Sequence, residues 1–393
     1  MKRISLALAL LASAFATPSL AQQPQYSVKT MGDVVQLRDA KSRTVVSVLT
    51  PVANAYEMVV NGSNTIRMTV KSVDELRARP NLNGVPLLAP FANRLDEMAF
   101  YANGQKYNFD PGLGNVRGPI PIHGYVTGAN AWKVLSVKAD AKGAWITEKL
   151  DFYRNPLYMA QFPFAHTITM TYRLSEGALE VHVRLDNLSD QPMPVAIGFH
   201  PYYALTDSNR TDWTLNVGAK THWLLADNKT PTGVTEPAEK FWGGDPHAVP
   251  LSRFADRDID DIFTDLERDA QGRGTVSVSG KKQKITIQLG PKFKTALVYS
   301  TRAPQPPRPA GAPGGAPPQA QAAPPPVSQG PPVPLSATTG EPAPPARGFV
   351  AFEPMVGVTD SMNLAQRGLY KDLQSVAPRG SWEESFWIKP SGY

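Results

Sequence analysis

Between residues 45 and 299 the chain is divided into short runs rich in Val, Ile, Thr and aromatic side chains, which leaves little room for anything but a β fold. Residues 45–50, 56–60, 65–70, 132–138, 166–172, 178–186, 275–278, 284–289 and 296–299 each suit a strand, several by alternating polar and apolar positions. Asn61-Gly62, Asn103-Gly104 and Glu176-Gly177 punctuate them as turns. The clearest hairpin joins 166–174 to 178–188 at Ser175-Glu176-Gly177. Helical patterning is confined to one short stretch, 73–79. Many short strands at regular spacing predict an all-β sandwich with few short helices.

Two segments stand outside this pattern. At the N-terminus, Lys2 and Arg3 precede an apolar run from Leu6 to Ala16, and small residues at Ser19 and Ala21 suit signal peptidase. Residues 1–21 therefore read as a cleavable signal peptide, and the expected location is periplasmic or secreted. The apolar run is short for a membrane span, and no other stretch is long enough for one, so no membrane anchor is expected in the mature form. The second segment, 303–347, holds 16 of the 38 prolines, with Ala, Gly and Gln filling most gaps. With so little to bury, it is expected to be a disordered insertion. Only about 45 residues follow it, too few for a typical separate domain. Residues 22–393 are accordingly expected to form one β-sandwich domain interrupted by 303–347.

Composition removes several functions. The formal charge of +6 falls to +4 once residues 1–21 are gone, and Lys281-Lys282-Gln283-Lys284 is too short a basic cluster for a nucleic-acid groove. That cluster reads as a solvated hairpin turn. Cysteine is absent, and there is no HxH, HExxH, GxGxxG or Walker pattern, so no metal and no cofactor are expected. Oligomeric state is not encoded in anything visible here.

Four stretches mix polar and aromatic residues: Pro90–Leu95, Ile122–Gly128, Gly198–Tyr203 and Phe349–Met355, the last continuing to Asp360 and Asn363. His200 lies among aromatics and has the side chain that titrates nearest neutrality, suiting a general acid. Glu353 closes an apolar strand before Pro354, which is expected to end ladder pairing; a partly desolvated carboxylate there suits a general base. Such a pair on opposite sides of a substrate moves one proton on and another off. Arg94 and the pair Asp260-Asp261 offer partners for hydroxyl groups. Tyr125, Trp132, Tyr202 and Trp242 are candidates to stack on a sugar face. His166, His182, His222 and His247 read as structural or surface residues.

Taken in order, these stretches resemble the aldose 1-epimerase family, of galactose mutarotase type. Asn93-Arg94, Ile122-His123-Gly124, Gly198-Phe199-His200-Pro201-Tyr202-Tyr203, Asp260-Asp261-Ile262-Phe263 and Phe352-Glu353-Pro354 carry the resemblance, which runs from about residue 28 to 390 without the insertion. It implies a large antiparallel β-sandwich with an open cleft for a small free sugar. It also implies Glu353 as the base at the anomeric hydroxyl and His200 as the acid at the ring oxygen. His123, Arg94, Asp260, Asn93 and Tyr202 would bind substrate, with Asp261 a close second to Asp260. Tyr125, Tyr203 and Met355 depart from the family pattern, the last removing an amide that would face substrate. Two rivals remain: a non-catalytic carbohydrate-binding protein, and a polysaccharide lyase or glycoside hydrolase using Glu353 with Asp260. If 303–347 is a spacer, deleting residues 304–345 leaves the protein's activity unchanged; loss of activity on deletion would show that the segment does more.

Overall fold

The computed structural model describes residues 24–80, 82–112, 116–302 and 348–393. The expected signal peptide and the proline-rich segment lie outside them. Three antiparallel sheets make up most of the molecule. A nine-stranded sheet runs Lys133–Asp140, Gly143–Leu150, His166–Ser175, Ala178–Asn187, Ser381–Ser391, Lys284–Leu289, Gly274–Ser279, Thr214–Val217, Val249–Pro250. An eight-stranded sheet runs Pro231–Pro237, Ala219–Leu225, Ile259–Leu266, Thr295–Ser300, Val350–Met355, Gly198–Phe199, Leu87–Leu88, with Tyr202–Tyr203 also on Val350–Met355. The N-terminal strands, from Tyr26–Met31 to Ser63–Asn64, form a five-stranded meander.

Alternation explains how these sheets stack. In Ala178–Asn187 the residues Leu179, Val181, Val183 and Leu185 are buried, while the residues between them face outward. Phe263, Val298 and Phe352 do the same from the eight-stranded sheet, and all of these side chains belong to one continuous core. The hairpin turn at Glu176-Gly177 has φ of +52° and +72°, the left-handed pair that matches strand twist. Lys281 and Lys282 lie exposed at the hairpin between Gly274–Ser279 and Lys284–Leu289. The short helix forms at Val73–Ala78, its first turn closed by a bond from the Glu75 amide to the Ser72 hydroxyl.

One expected strand is absent. Residues 65–70 contribute only the isolated bridge Ile66–Tyr203. The side chain of Asn83 accepts from both the amide and the hydroxyl of Thr69 at 2.8 Å, which takes the backbone away from a ladder. Conversely, Gly143–Leu150, Ile259–Leu266 and Ser381–Ser391 are strands that composition did not single out.

The proline-rich segment is rooted between two neighbouring strands, Thr295–Ser300 and Val350–Met355. Its base is clamped: Ser300 Oγ donates to the Phe349 carbonyl at 2.6 Å and receives Arg210 Nε at 2.7 Å.

A buried carboxyl stands out in the core. Glu148 is fully buried, and neither carboxyl oxygen has a partner among the described residues. Burial pushes its carboxyl up from 4.5 to about 9. Between those values the native state holds a proton that the unfolded chain has released, so stability falls as pH rises through that window. Glu148→Gln should therefore flatten the decline in Tm between about pH 5 and pH 8. An equal decline in the variant and the parent, read by calorimetry, would rule this out.

Candidate active site

Strand Val350–Met355 lies inside the eight-stranded sheet and divides its side chains between two faces. Val350 and Phe352 enter the main core, while Glu353 and Met355 point the other way. Pro354 does not end the ladder: the strand runs on to Met355, which pairs with both Thr295 and Gly198. Register lines up Ile262, Leu297 and Glu353 across three strands, and Asp260, Tyr299 and Ala351 beside them.

This parity separates the two aspartates. Asp260 shares the Glu353 face and meets Arg94 Nη2 at 3.2 Å. Asp261 points to the opposite face, where it contacts His222 Nε2 at 3.1 Å; His222 Nδ1 in turn meets Glu236 at 3.1 Å.

The same register places the histidine. Gly198 pairs with Met355 and Tyr202 with Ala351, so position 200 falls opposite position 353 in a gap where the ladder is unpaired. Directly opposed residues on one face lie within side-chain reach. His200 Nε2 accordingly lies 2.9 Å from Glu353 Oε1, with both side chains almost wholly buried. The sequence suggested a histidine and a carboxylate on opposite sides of a substrate; they stand side by side and touch, because they are cross-strand neighbours. Tyr202 stacks on the His200 ring at 4.6 Å, its hydroxyl 3.5 Å from Nε2. His123 meets the same ring edge-on at 5.2 Å.

A second group completes the floor. Arg94 Nη1 donates to Asn93 Oδ1 at 2.9 Å, and the His123 amide donates to the Asn93 carbonyl at 2.7 Å. Asn93 and His123 both have positive φ, +56° and +61°, a conformation that non-glycine residues adopt only when their surroundings impose it. Burial above all, then the charges of His200 and Arg94, holds the His123 imidazole well below its usual range and hence neutral. Asp360 braces this floor from beneath. Its amide donates to the Arg94 carbonyl at 3.0 Å, its carboxylate accepts from the Asp96 amide at 3.1 Å, and Arg367 binds it at 2.7 Å. Asn363 donates to Asp96 at 3.0 Å. Burial, reinforced by the charge of Asp96, raises the Asp360 carboxyl to about 8.

Thus His200, Glu353, His123 and Tyr202 come together, and Arg94, Asn93 and Asp260 join them through the Asn93–His123 bond. Three stacking candidates do not. Tyr125 packs on Phe109, Phe152 and Tyr158; Trp132 is buried in the main core; Trp242 lies against Phe263 at 4.8 Å. Their rings fill the interior, the ordinary fate of large aromatics in a sandwich. Residues outside that stacking set form the rim instead: Phe349, from the fourth candidate stretch, and Tyr299 and Arg67, which the sequence did not single out. Tyr299 lies 6.2 Å from both His200 and Tyr202, and Phe349 lies 5.2 Å from Tyr202. The guanidinium of Arg67 lies over Phe349 at 4.8 Å. Tyr299 was legible only through its register with Asp260. Among the described residues no cluster of three His, Cys, Asp or Glu suits a metal.

Gly124 follows His123 with φ of +59°, and a Cβ there would fall 2.1 Å from the Ala89 carbonyl oxygen. Gly124→Ala should therefore destabilise the protein by about 2–4 kcal/mol, combining overpacking with backbone strain. An unchanged denaturant midpoint would contradict the close approach.

Comparison with known proteins follows the same lines. The aldose 1-epimerase family model matches residues 34–322. A galactose mutarotase-like protein from Clostridium acetobutylicum superposes with a TM-score of 0.69 at 16% identity, covering 94% of this chain and 98% of the other. Galactose 1-epimerase from Lactobacillus acidophilus gives 0.65 at 14% identity, covering 94% and 98%. The aldose epimerase homologue of C. elegans gives 0.63 at 14%, covering 90% and 97%. At these identities the structures establish a shared fold, and the match of the family model over most of the chain establishes that the protein belongs to the aldose 1-epimerase family.

Proposed function

We propose that this protein interconverts the α and β anomers of a free sugar by opening and reclosing its ring, with Glu353 as base and His200 as acid. The observation that carries the reading is the 2.9 Å contact between them, together with three buried atoms that lack partners among the described residues: Glu353 Oε2, His200 Nδ1 and His123 Nδ1. Unsatisfied buried polar atoms are costly, about 1–3 kcal/mol each, and at a functional site a bound ligand's hydroxyls can offset that cost.

The reaction needs neighbours rather than opposites. The hydroxyl that loses a proton and the ring oxygen that gains one are attached to the same carbon. With the pair in its charged form, Glu353 takes the anomeric hydroxyl proton, and the freed electron pair closes a carbonyl. The bond from carbon to ring oxygen breaks, and that oxygen takes its proton from His200. Half a turn about the adjoining C–C bond presents the other carbonyl face. On reclosure the attacking hydroxyl gives its proton to His200 while Glu353 returns its proton to the carbonyl oxygen, so the protein ends as it began. His123, held neutral, offers a hydrogen bond without competing as an acid. Asp260, Arg94, Asn93 and Tyr202 are the hydroxyl-binding set. The leader-like pattern of residues 1–21 supports the further proposal that the reaction takes place outside the cytoplasm.

Glu353→Gln and His200→Asn should each lower anomer exchange by about 10²-fold or more, with the fold retained. Their combination should lose little beyond either alone, because the two act as a unit. Near-parental rates in both single variants, measured by polarimetry on freshly dissolved sugars, would refute these roles.

A further inference from the structure

The outer face of the nine-stranded sheet carries a feature that the proposed reaction does not use. Strand Ala178–Asn187 sends Leu179, Val181, Val183 and Leu185 into the core, so the residues between them project on the opposite side. Register aligns Trp145, Arg173, Glu180 and Trp387 in one row across four neighbouring strands of that outer face. All four are only half-buried. Two tryptophans in one row of a solvent-facing sheet are unusual, because such rings are mostly spent in the interior. Arg173 and Trp387 stand two strand spacings apart, about 10 Å, and a cleft of about 420 Å³ opens between them. The hollow exists because Ala178, the next outward position after Glu180, is small; Ser175 pairs with it on one side and Lys389 lies on the other. Ser385 Oγ donates to Glu180 Oε1 at 2.8 Å from beside His182, which draws the carboxylate away from Ala178.

The walls of this cleft are set before any ligand arrives. The Arg173 guanidinium lies on the Trp145 ring at 5.3 Å. Arg273 lies over the Trp387 ring at 5.6 Å, from the Gly274–Ser279 side of the sheet, so the cleft meets Trp387 from the other side. The turn at the end of the cleft is pinned by three bonds: the Glu176 amide to the Tyr26 hydroxyl and the Gly177 amide to Asp39 Oδ2, each 3.0 Å, and Ser175 Oγ to the Lys142 carbonyl at 2.8 Å. Charge then selects the occupant. Arg173 and Lys389 are balanced by Glu176 and Glu180, and none of the four has an ion-pair partner among the described residues. A polyanion or an acidic membrane gains little from a balanced lining. Uncharged hydroxyls, which both donate and accept, find partners of both signs there. The apolar face of a sugar ring suits the open side of a tryptophan, and the volume falls in the range of roughly 300–1,000 Å³ that small ligands occupy.

We infer that this cleft is a second carbohydrate site, which holds a neutral glycan chain with one ring stacked on Trp387 and its hydroxyls bonded to Arg173, Glu180 and Lys389. The core lies between this face and Glu353, so the chain bound here is not the sugar whose ring is opened. It anchors the protein and leaves the Glu353 face clear.

The test measures binding of cellohexaose, maltohexaose and xylohexaose to the full-length protein by calorimetry, beside Trp387→Ala and Ala178→Phe. The parent should bind at least one of the three, and Trp387→Ala should weaken that binding by about 10-fold or more. Ala178→Phe fills the cleft from the solvent side and leaves the core alone, so it should do the same even if Trp387→Ala costs stability. Anomer exchange of free sugars, followed by saturation-transfer NMR, should be the same in both variants as in the parent. Failure of the parent to bind any of the three hexaoses, or binding that either variant retains in full, would overturn the inference and leave the anomer-exchange reading intact. Hexaose binding that depends on Trp387 and on an open cleft, in a parent that exchanges no anomers, would sustain the second site and reject that reaction.

Discussion

One register governs the site. Strand Val350–Met355 pairs with a partner that is broken in the middle: Gly198 holds one end, Tyr202 the other, and His200 sits opposite Glu353 where the ladder lapses. The lapse is what frees the imidazole to lean onto the carboxylate at 2.9 Å. A slip of one residue would turn Glu353 into the main core and bring Phe352 or Pro354 into its place beside His200. Removing either member would strand the other as a buried, unpartnered group, a loss of about 3–5 kcal/mol for a buried pair. Part of the stability and the whole of the proposed chemistry thus rest on the same contact.

The eight-stranded sheet supports this by giving its two faces different work. Phe263, Val298 and Phe352 seal one face against the nine-stranded sheet. On the other face, Glu353 and Asp260 stand beside a smaller apolar cluster of Ile262, Leu297, Met355, Trp223 and Tyr370. Gly198 allows this face to close tightly, since a Cβ there would lie 2.8 Å from Ala92 and 2.9 Å from Met355. The strained loop carrying Asn93 and Arg94 is held from below by Asp360 and Arg367, two residues remote in sequence from the loop they support.

Much of this was readable in the chain itself. Alternation and glycine-bearing turns announced an all-β fold, and the strand Lys284–Leu289 falls where its pattern put it. The short polar–aromatic stretches marked Glu353, His200, His123, Arg94 and Asn93, which the fold gathers. The choice between Asp260 and Asp261 was open in sequence because adjacent residues differ only in the face they occupy, and that is decided by pairing with Thr295–Ser300. Tyr125, Trp132 and Trp242 looked available because aromatic type is visible in sequence and burial is not. The rim residues Arg67 and Tyr299 escaped notice because they lie far apart along the chain and come to the Tyr202 side of the site only through the fold.

The clamp of Ser300 on Phe349 and Arg210 has an evolutionary corollary. By tying the two strand ends together at their base, it makes their alignment independent of the number of residues threaded between them. Such a junction is a permissive graft point: lineages could lengthen, shorten or recode the intervening passage without disturbing Glu353, four residues beyond Phe349.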